Sequence, residues 1–262
     1  MSWDTDGVGR AVDLNADLGE GVPLLPPGHE QAVLRAVSTA HIACGFHAGD
    51  PSTMFETARA AAQLGVAVGA HPSFPDREGF GRRAMALDDD TVRVDVLYQI
   101  SAFAGIARAA GTAMVSVKAH GALYNQMAVD VPYATAVARA LKDLSADLWL
   151  VAPAGSVAAS VGRSEGLAVA EEAFCDRGYR ADGRLLPRDA DGAVLTDPDA
   201  VARRAVAMLN DGGVVTADGS WFEMTPDTLC IHGDTPGAAE IAARVRTALE
   251  GAGITVRPFC GR

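Results

Sequence analysis

The chain predicts an α/β fold on one parallel sheet, either closed into a barrel or spread as a wide doubly wound sheet. Three observations carry this. Short apolar, β-rich runs alternate with longer helical patterns along most of the sequence. The runs read as continuous apolar stretches rather than polar–apolar alternations, as parallel strands covered on both faces do. No charged linker divides the seven strand–helix units, so residues 1–262 are expected to form a single domain.

The expected strands are residues 12–14, 42–44, 66–69, 114–117, 148–151, 167–170 and 229–231. Helix-start signals stand between them. Asp50-Pro51-Ser52 opens a helix with Met54, Ala58, Ala61 and Leu64 on one stripe, with Pro51 near the first helical position. Asp88-Asp89-Asp90 opens another, its acidic N-terminus leading to Val92, Val96, Ile100, Phe103 and Ala107. Pro132, Asp197-Pro198 and Pro236 open helices over residues 137–141, 201–209 and 241–249. Residues 212–224 break the alternation: Val214-Val215, then Asp218-Gly219, then Trp221-Phe222 predict a small β-hairpin insertion turning at Asp-Gly. The Gly/Asp/Arg-rich residues 182–191 read as an exposed functional loop.

Composition narrows the function. With 262 residues, 49% hydrophobic and 21% charged, the chain can bury the core of one α/β barrel. Lys+Arg 22 against Asp+Glu 33 leaves a net charge of −11, which argues against nucleic acid and anionic membranes as general partners. A small anionic substrate is still allowed, because a few local arginines suffice. The polar N-terminus lacks a signal-peptide core, and the longest charge-free runs, 60–75 and 148–162, are too short to span a membrane, so the cytoplasm is the expected location. Cys44, Cys175, Cys230 and Cys260 form no CxxC pair, and Cys44 and Cys230 sit in apolar strands as packing residues.

The polar residues gather at strand ends. Asp13, Asn15 and Asp17 share one face of an extended segment, and Lys118 and His120 repeat that spacing, as do His232 and Asp234. His47 and Asp50 follow the second strand and His71 the third, so four of six histidines fall at strand ends; His29 sits on a helix pattern and His41 begins a strand. In a parallel barrel these ends form the active site. Asp50 reads equally as a helix cap, and Asp234 as a helix-start residue. Asp17, His47 and His71 are candidate ligands for a divalent metal such as zinc or manganese, although no HxxxH or HExxH spacing is present. The metal-free alternative uses His and Asp as general acid and base beside Lys118. Arg77, Arg82, Arg83, Arg177, Arg180 and Arg188 could grip carboxylate or phosphate, and no P-loop or GxGxxG is present.

Six ordered motifs are similar to those of the LamB/YcsF family. Asp13-Leu14-Asn15-Ala16-Asp17-Leu18-Gly19-Glu20-Gly21 resembles its opening block, and Ala43-Cys44-Gly45-Phe46-His47-Ala48-Gly49-Asp50 its second. Gly69-Ala70-His71-Pro72-Ser73-Phe74-Pro75-Asp76 through Gly79-Phe80-Gly81-Arg82-Arg83 resembles the third. Lys118-Ala119-His120-Gly121-Ala122-Leu123-Tyr124-Asn125 resembles a fourth that usually carries Pro where Ala119 stands. Glu172-Ala173-Phe174-Cys175-Asp176-Arg177-Gly178-Tyr179 and Cys230-Ile231-His232-Gly233-Asp234 complete the set. The departures at Ala119 and Cys175 touch no titratable group that the motifs share.

The resemblance implies a seven-stranded, TIM-like barrel of the glycoside hydrolase/deacetylase type. It also implies an ATP-coupled hydrolase acting on a cyclic amide: 5-oxo-L-proline opened to L-glutamate, with ATP and Mg, beside the 5-oxoprolinase subunits B and C. In that scheme Asp17 or His71 is the base. Lys118 and His120 stabilise oxyanion or phosphate, Arg82 or Arg177 anchors the substrate carboxylate, and Asp13 and His47 orient these groups. Asn15 and His232 complete the substrate and phosphate side. Two alternatives stand beside it: a stand-alone metal-dependent hydrolase or deacylase, and a non-catalytic binding component of the complex.

Overall fold

A computed structural model describes residues 10–21, 28–233 and 237–260. Seven strands close on themselves in parallel: β1 (Ala11–Leu18), β2 (Thr39–Ala43), β3 (Ala67–His71), β4 (Met114–Lys118), β5 (Trp149–Pro153), β6 (Ala168–Phe174) and, after a hairpin, β9 (Thr228–Ile231). Each pairs with the next in order, and β9 returns to β1 with Asp13 opposite Thr228 and Ala16 opposite Ile231. Of the two architectures the sequence allows, the barrel is the one formed. A closed barrel leaves no sheet edge among these seven strands.

Helices lie outside: α1 (His29–Ala36), α2 (Pro51–Leu64), α3 (Asp89–Ala109), α4 (Gly121–Met127), α5 (Val131–Leu144), α6 (Val157–Ser164), α7 (Pro198–Asp211) and α8 (Ala238–Gly251). The expected caps are present. Asp50 and Asp88 accept from the N–H groups of Thr53 and Thr91, each at 2.9 Å, and Asp197 accepts from Asp199 at 3.1 Å. Asp50 is therefore a helix cap on the exposed surface. At α5 the cap is Asp130, with Pro132 in the first turn. The Pro236 start of α8 and Asp234 lie outside the described residues.

The hairpin forms as expected. β7 (Gly213–Val215) and β8 (Trp221–Glu223) pair antiparallel, and Gly219 takes φ +84° in the turn between them. Of the short helices, α4 has no side-chain cap and α6 is capped by Ser156, which accepts from the Ala159 N–H at 3.2 Å; β10 (Thr255–Val256) is a two-residue strand added to the start of β1.

One expectation needs correction. The strands alternate, because the barrel interior is polar over much of its height. Leu14, Ala16 and Leu18 of β1 belong to the apolar layer under the helices, whereas Asp13, Asn15 and Asp17 face the axis. Hydrogen bonds between non-adjacent strands establish this. Asn15 Nδ2 donates to Glu172 Oε1 of β6 at 2.9 Å, and His41 of β2 meets Ser116 of β4 at 3.2 Å. Gly69 makes room for that histidine: a Cβ there would stand 2.4 Å from Ser116 Oγ and 2.5 Å from His41 Cδ2. At the other end Phe259 packs with Val151 and Ala170 and closes the barrel floor.

Candidate active site

From the floor upward, the axis carries layers of increasing charge. Asp13 is lowest. Its Oδ1 accepts from Ser38 Oγ at 2.7 Å and Thr39 Oγ1 at 2.6 Å, and its Oδ2 from Thr228 Oγ1 at 2.5 Å. Burial nevertheless pushes its carboxyl up to about 6. This depth makes Asp13 a support for the site rather than part of its mouth.

Lys118, at the last position of β4, occupies the next layer. Its ammonium donates to Asn15 Oδ1 at 2.9 Å, Glu172 Oε1 at 3.1 Å and Cys230 Sγ at 3.2 Å, and it forms an ion pair with Asp17 Oδ1 at 2.6 Å. Tyr124 donates to the other Glu172 oxygen at 2.5 Å. Burial alone would raise Asp17 and lower Lys118. The neighbouring His71 and Lys118 instead hold the Asp17 carboxyl well below the usual range, and Asp17 holds the ammonium well above its own. Burial pushes the Cys230 thiol well up, in keeping with a packing role.

Beside this pair stands a cluster of imidazoles. Glu20, His47, His71 and His120 each bring one donor atom to within 4.8 Å of the others, all four residues being buried, so the cluster could hold a metal ion. His71 Nε2 lies 3.0 Å from His120 Nδ1 and 3.3 Å from Asp17 Oδ2. Glu20 Oε1 lies 3.4 Å from His47 Nε2 and 3.5 Å from His120 Nδ1. The His47 and His120 rings stack at 3.9 Å. Burial, then the neighbouring imidazoles, lowers His47 well below its ordinary value and His120 to about 3, so both rings are neutral at physiological pH.

A third group completes the mouth. Asp176 receives the backbone N–H of His232 at 3.0 Å, and its Oδ2 lies 3.0 Å from His232 Nδ1. Burial would raise Asp176, but His232 holds it below its ordinary value. Because the carboxylate accepts the Nδ1 proton, Nε2 is left as the ring's free basic atom, as in an oriented catalytic histidine. Phe174 stacks on the ring at 5.2 Å.

These groups open into a cavity of about 770 Å³, with Asp17, Glu20, His71, Lys118, Glu172 and His232 among its walls. The arginines divide into braces and wall residues. Arg77 donates to the carbonyls of Gly45 and Gly49, and Arg83 pairs with Asp76. Arg177 donates to the carbonyls of Ala193 and Leu186 and so ties down the 175–197 loop while reaching the cavity wall. Arg82, Arg180 and Arg188 also line the cavity, Arg82 lying over the Phe80 ring.

Of the residues singled out from sequence, Asn15, Asp17, His47, His71, Lys118, His120 and His232 do converge, with Arg82 and Arg177 at the rim. The candidate metal set differs: Glu20 and His120 join His47 and His71, while Asp17 is engaged by Lys118. Glu20, Glu172, Tyr124 and Asp176 receive no role from sequence reasoning, although all lie inside the quoted motifs. A carboxylate repeated at strand ends is the signal that could have found three of them.

A closed parallel barrel with a carboxylate-oriented histidine and buried charges at the C-terminal strand ends has the architecture of the barrel enzymes. The particular family is shown by comparison: the chain belongs to the LamB/YcsF family, whose profile matches residues 12–262. It is 51% identical over 249 residues to a protein of Acinetobacter baylyi named as the A subunit of 5-oxoprolinase, covering 95% of this chain and 98% of that one. It is 50% identical to a protein of the same name from Methylococcus capsulatus, covering 96% and 97%. The solved structure of a lactam utilization protein from Thermus thermophilus is similar at TM-score 0.87 and 46% identity, covering 94% of this chain and 99% of that one.

Proposed function

We propose that this chain is the A-type component of a 5-oxoprolinase, opening 5-oxo-L-proline to L-glutamate with hydrolysis of ATP, in the cytoplasm and together with B- and C-type subunits. The names of its full-length relatives support both its place in such a complex and the substrate. On the chain itself, the observation that carries the reading is His232, held from behind by the buried Asp176, facing the cavity that the Lys118–Asp17 pair also lines.

A lactam amide is stabilised by resonance, and water attacks it poorly. ATP with Mg would supply the activation by phosphorylating the amide oxygen. The residues fit anionic groups: Arg82, Arg180 and Arg188 line the wall and would hold the substrate carboxylate and phosphoryl oxygens. The cavity is the right order of size for a small molecule. His232 Nε2 takes a proton from the water that attacks the activated ring carbon and returns it to the ring nitrogen as the C–N bond breaks; the acyl phosphate this leaves is hydrolysed by a second water to the glutamate side-chain carboxylate and inorganic phosphate. Asp17 is held too acidic for that task and keeps its negative charge. Lys118 has its three N–H donors committed to Asn15, Glu172 and Cys230 and is ion-paired with Asp17, so it acts through its charge and by holding Asp17.

The test is glutamate and ADP formation from 5-oxo-L-proline, Mg and ATP by this chain alone, by its partner chains alone and by the mixture. Both products are expected together only when this chain is present. A verified complex that makes no glutamate overturns the substrate. In the active complex, His232→Gln should lower kcat by about 10²–10⁴-fold with little change in KM; wild-type turnover would remove the proton-carrying role. The Glu20–His47–His71–His120 cluster favours one second reading, a metal-dependent hydrolase that works alone. Chelator-sensitive turnover without ATP would select it.

A further inference from the structure

We propose that Glu20, His47, His71 and His120 hold one first-row divalent metal ion, with zinc the best match to the donor set. The cluster's own geometry carries this site, whichever substrate is correct.

Proton positions supply the first argument. A carbonyl oxygen only accepts, so His71 Nδ1, 2.7 Å from Lys118 O, must carry its ring proton. Likewise His120 Nε2, 2.9 Å from Phe80 O, must carry its own. With both rings in the neutral form that binds metals, each therefore turns a lone pair inward. These two atoms, His71 Nε2 and His120 Nδ1, face each other at 3.0 Å, with Asp17 Oδ2 3.3 Å from the former and Glu20 Oε1 3.5 Å from the latter. Acceptors facing acceptors in a buried site repel unless a cation lies between them. A backbone carbonyl on the far ring nitrogen is also how metal-ligating histidines are usually oriented.

His47 supplies the second argument. Its side chain is fully buried, and neither ring nitrogen makes a hydrogen bond, although Nε2 lies 3.4 Å from Glu20 Oε1. Spacing supplies the third. Donors at about 2.0–2.1 Å from a tetrahedral zinc lie about 3.3 Å apart, and the donor separations here include 3.0, 3.4 and 3.5 Å.

The backbone holds this arrangement under strain. Phe80, whose carbonyl orients His120, has φ +54°. Gly81 follows at φ +64°, where a Cβ would lie 2.9 Å from both His120 Cδ2 and His47 Cβ. Strain of this kind persists where surrounding contacts over-determine it, commonly at functional sites.

Three imidazoles and one carboxylate suit Zn²⁺ or Co²⁺, whereas Mg²⁺ and Ca²⁺ prefer oxygen donors. The site is therefore separate from any magnesium that accompanies a nucleotide.

The experiment uses the full chain without a histidine tag, stripped with chelator and titrated with Zn²⁺ by calorimetry and with Co²⁺ by visible absorption. One equivalent of either ion is expected, undiminished by millimolar Mg²⁺. Glu20→Gln and His120→Gln should weaken zinc at least 100-fold, while His232→Gln and His29→Gln bind as wild type. In the Co²⁺-loaded wild-type chain, proton NMR should show three strongly shifted, exchangeable imidazole N–H signals, which identifies the ligands without any variant. Failure of the wild-type chain to take up zinc or cobalt overturns the site. So does a histidine shift titration showing that a proton alone bridges His71 and His120 with no ion bound, or unchanged affinity in the Glu20 and His120 variants.

Discussion

Asp13 and Asp17 face the same axis four residues apart and are driven in opposite directions. Asp17 is held well below the carboxylate range by His71 and Lys118 against its burial, whereas burial takes Asp13 from 3.8 up to about 6. The difference has a measurable sign. Between these two values the folded chain holds the Asp13 proton that the unfolded chain has lost, so this residue's contribution to stability falls as pH rises through that window. At 1.36 kcal/mol per pH unit the loss amounts to about 2–3 kcal/mol between pH 4 and pH 7. Denaturant unfolding of wild type and Asp13→Asn across that range should show wild type losing this amount relative to the variant. A flat difference would mean that Asp13 ionises as an ordinary surface carboxylate does. The D-x-N-x-D spacing shows that these side chains share a face, but it carries no information about depth. Only the hydroxyls of Ser38, Thr39 and Thr228, contributed by distant segments, show that Asp13 belongs to the support and Asp17 to the mouth.

At the level of elements, the local signals and the long-range ones separate cleanly. Helices whose starts depend on an Asp and a Pro within a few residues were legible, because capping is a short-range interaction. Asp50 accepting from Thr53 at the head of α2 is one case. Replacing it with Ala should cost about 1 kcal/mol in denaturant unfolding and leave turnover intact; lost turnover would return Asp50 to the site. The polar alternation inside β1 was less legible, because a parallel strand usually meets apolar neighbours on both faces and here the axis carries charge. Glu20 was hidden for another reason. It follows β1, between Gly19 at φ +69° and Gly21 at φ +61°, so its direction is set by a turn rather than by strand period. The Phe80–Gly81 segment makes the same point in a form that can be tested. Gly81→Ala adds a Cβ at a left-handed position and against two histidines, and should destabilise the fold by about 1–3 kcal/mol. The same variant should weaken zinc binding, whereas Gly111→Ala, also at positive φ (+86°) but in open space, should lose stability without touching the ion. Equal zinc affinity in both variants would mean that this segment does not position the cluster.

Across the whole molecule, the barrel's two ends do different work, and β1 meets the C-terminal segment at one of them. β10 pairs with the start of β1, Ala11 opposite Thr255, and the N–H of Arg257 donates to Val12 O at 3.0 Å. This carries Phe259 beneath the barrel, fully buried against Val151 and Ala170 with Trp149 beside it. The mouth lies at the opposite strand ends, where His71, Lys118, Glu172 and His232 converge. We expect residues 1–262 to unfold as one unit, because closure links the first strand to β2, β9 and β10 together. Phe259→Ala removes the floor without touching the mouth. Emptying such a site should cost about 3–5 kcal/mol, seen as a shifted denaturant midpoint with coincident circular dichroism and fluorescence transitions. KM and zinc stoichiometry should remain as in wild type. Non-coincident transitions would show that the C-terminal segment folds separately from the barrel. A changed KM would show that the floor and the mouth are coupled through the polar axis, with Asp13, Asn15 and Lys118 the residues through which that coupling would have to run.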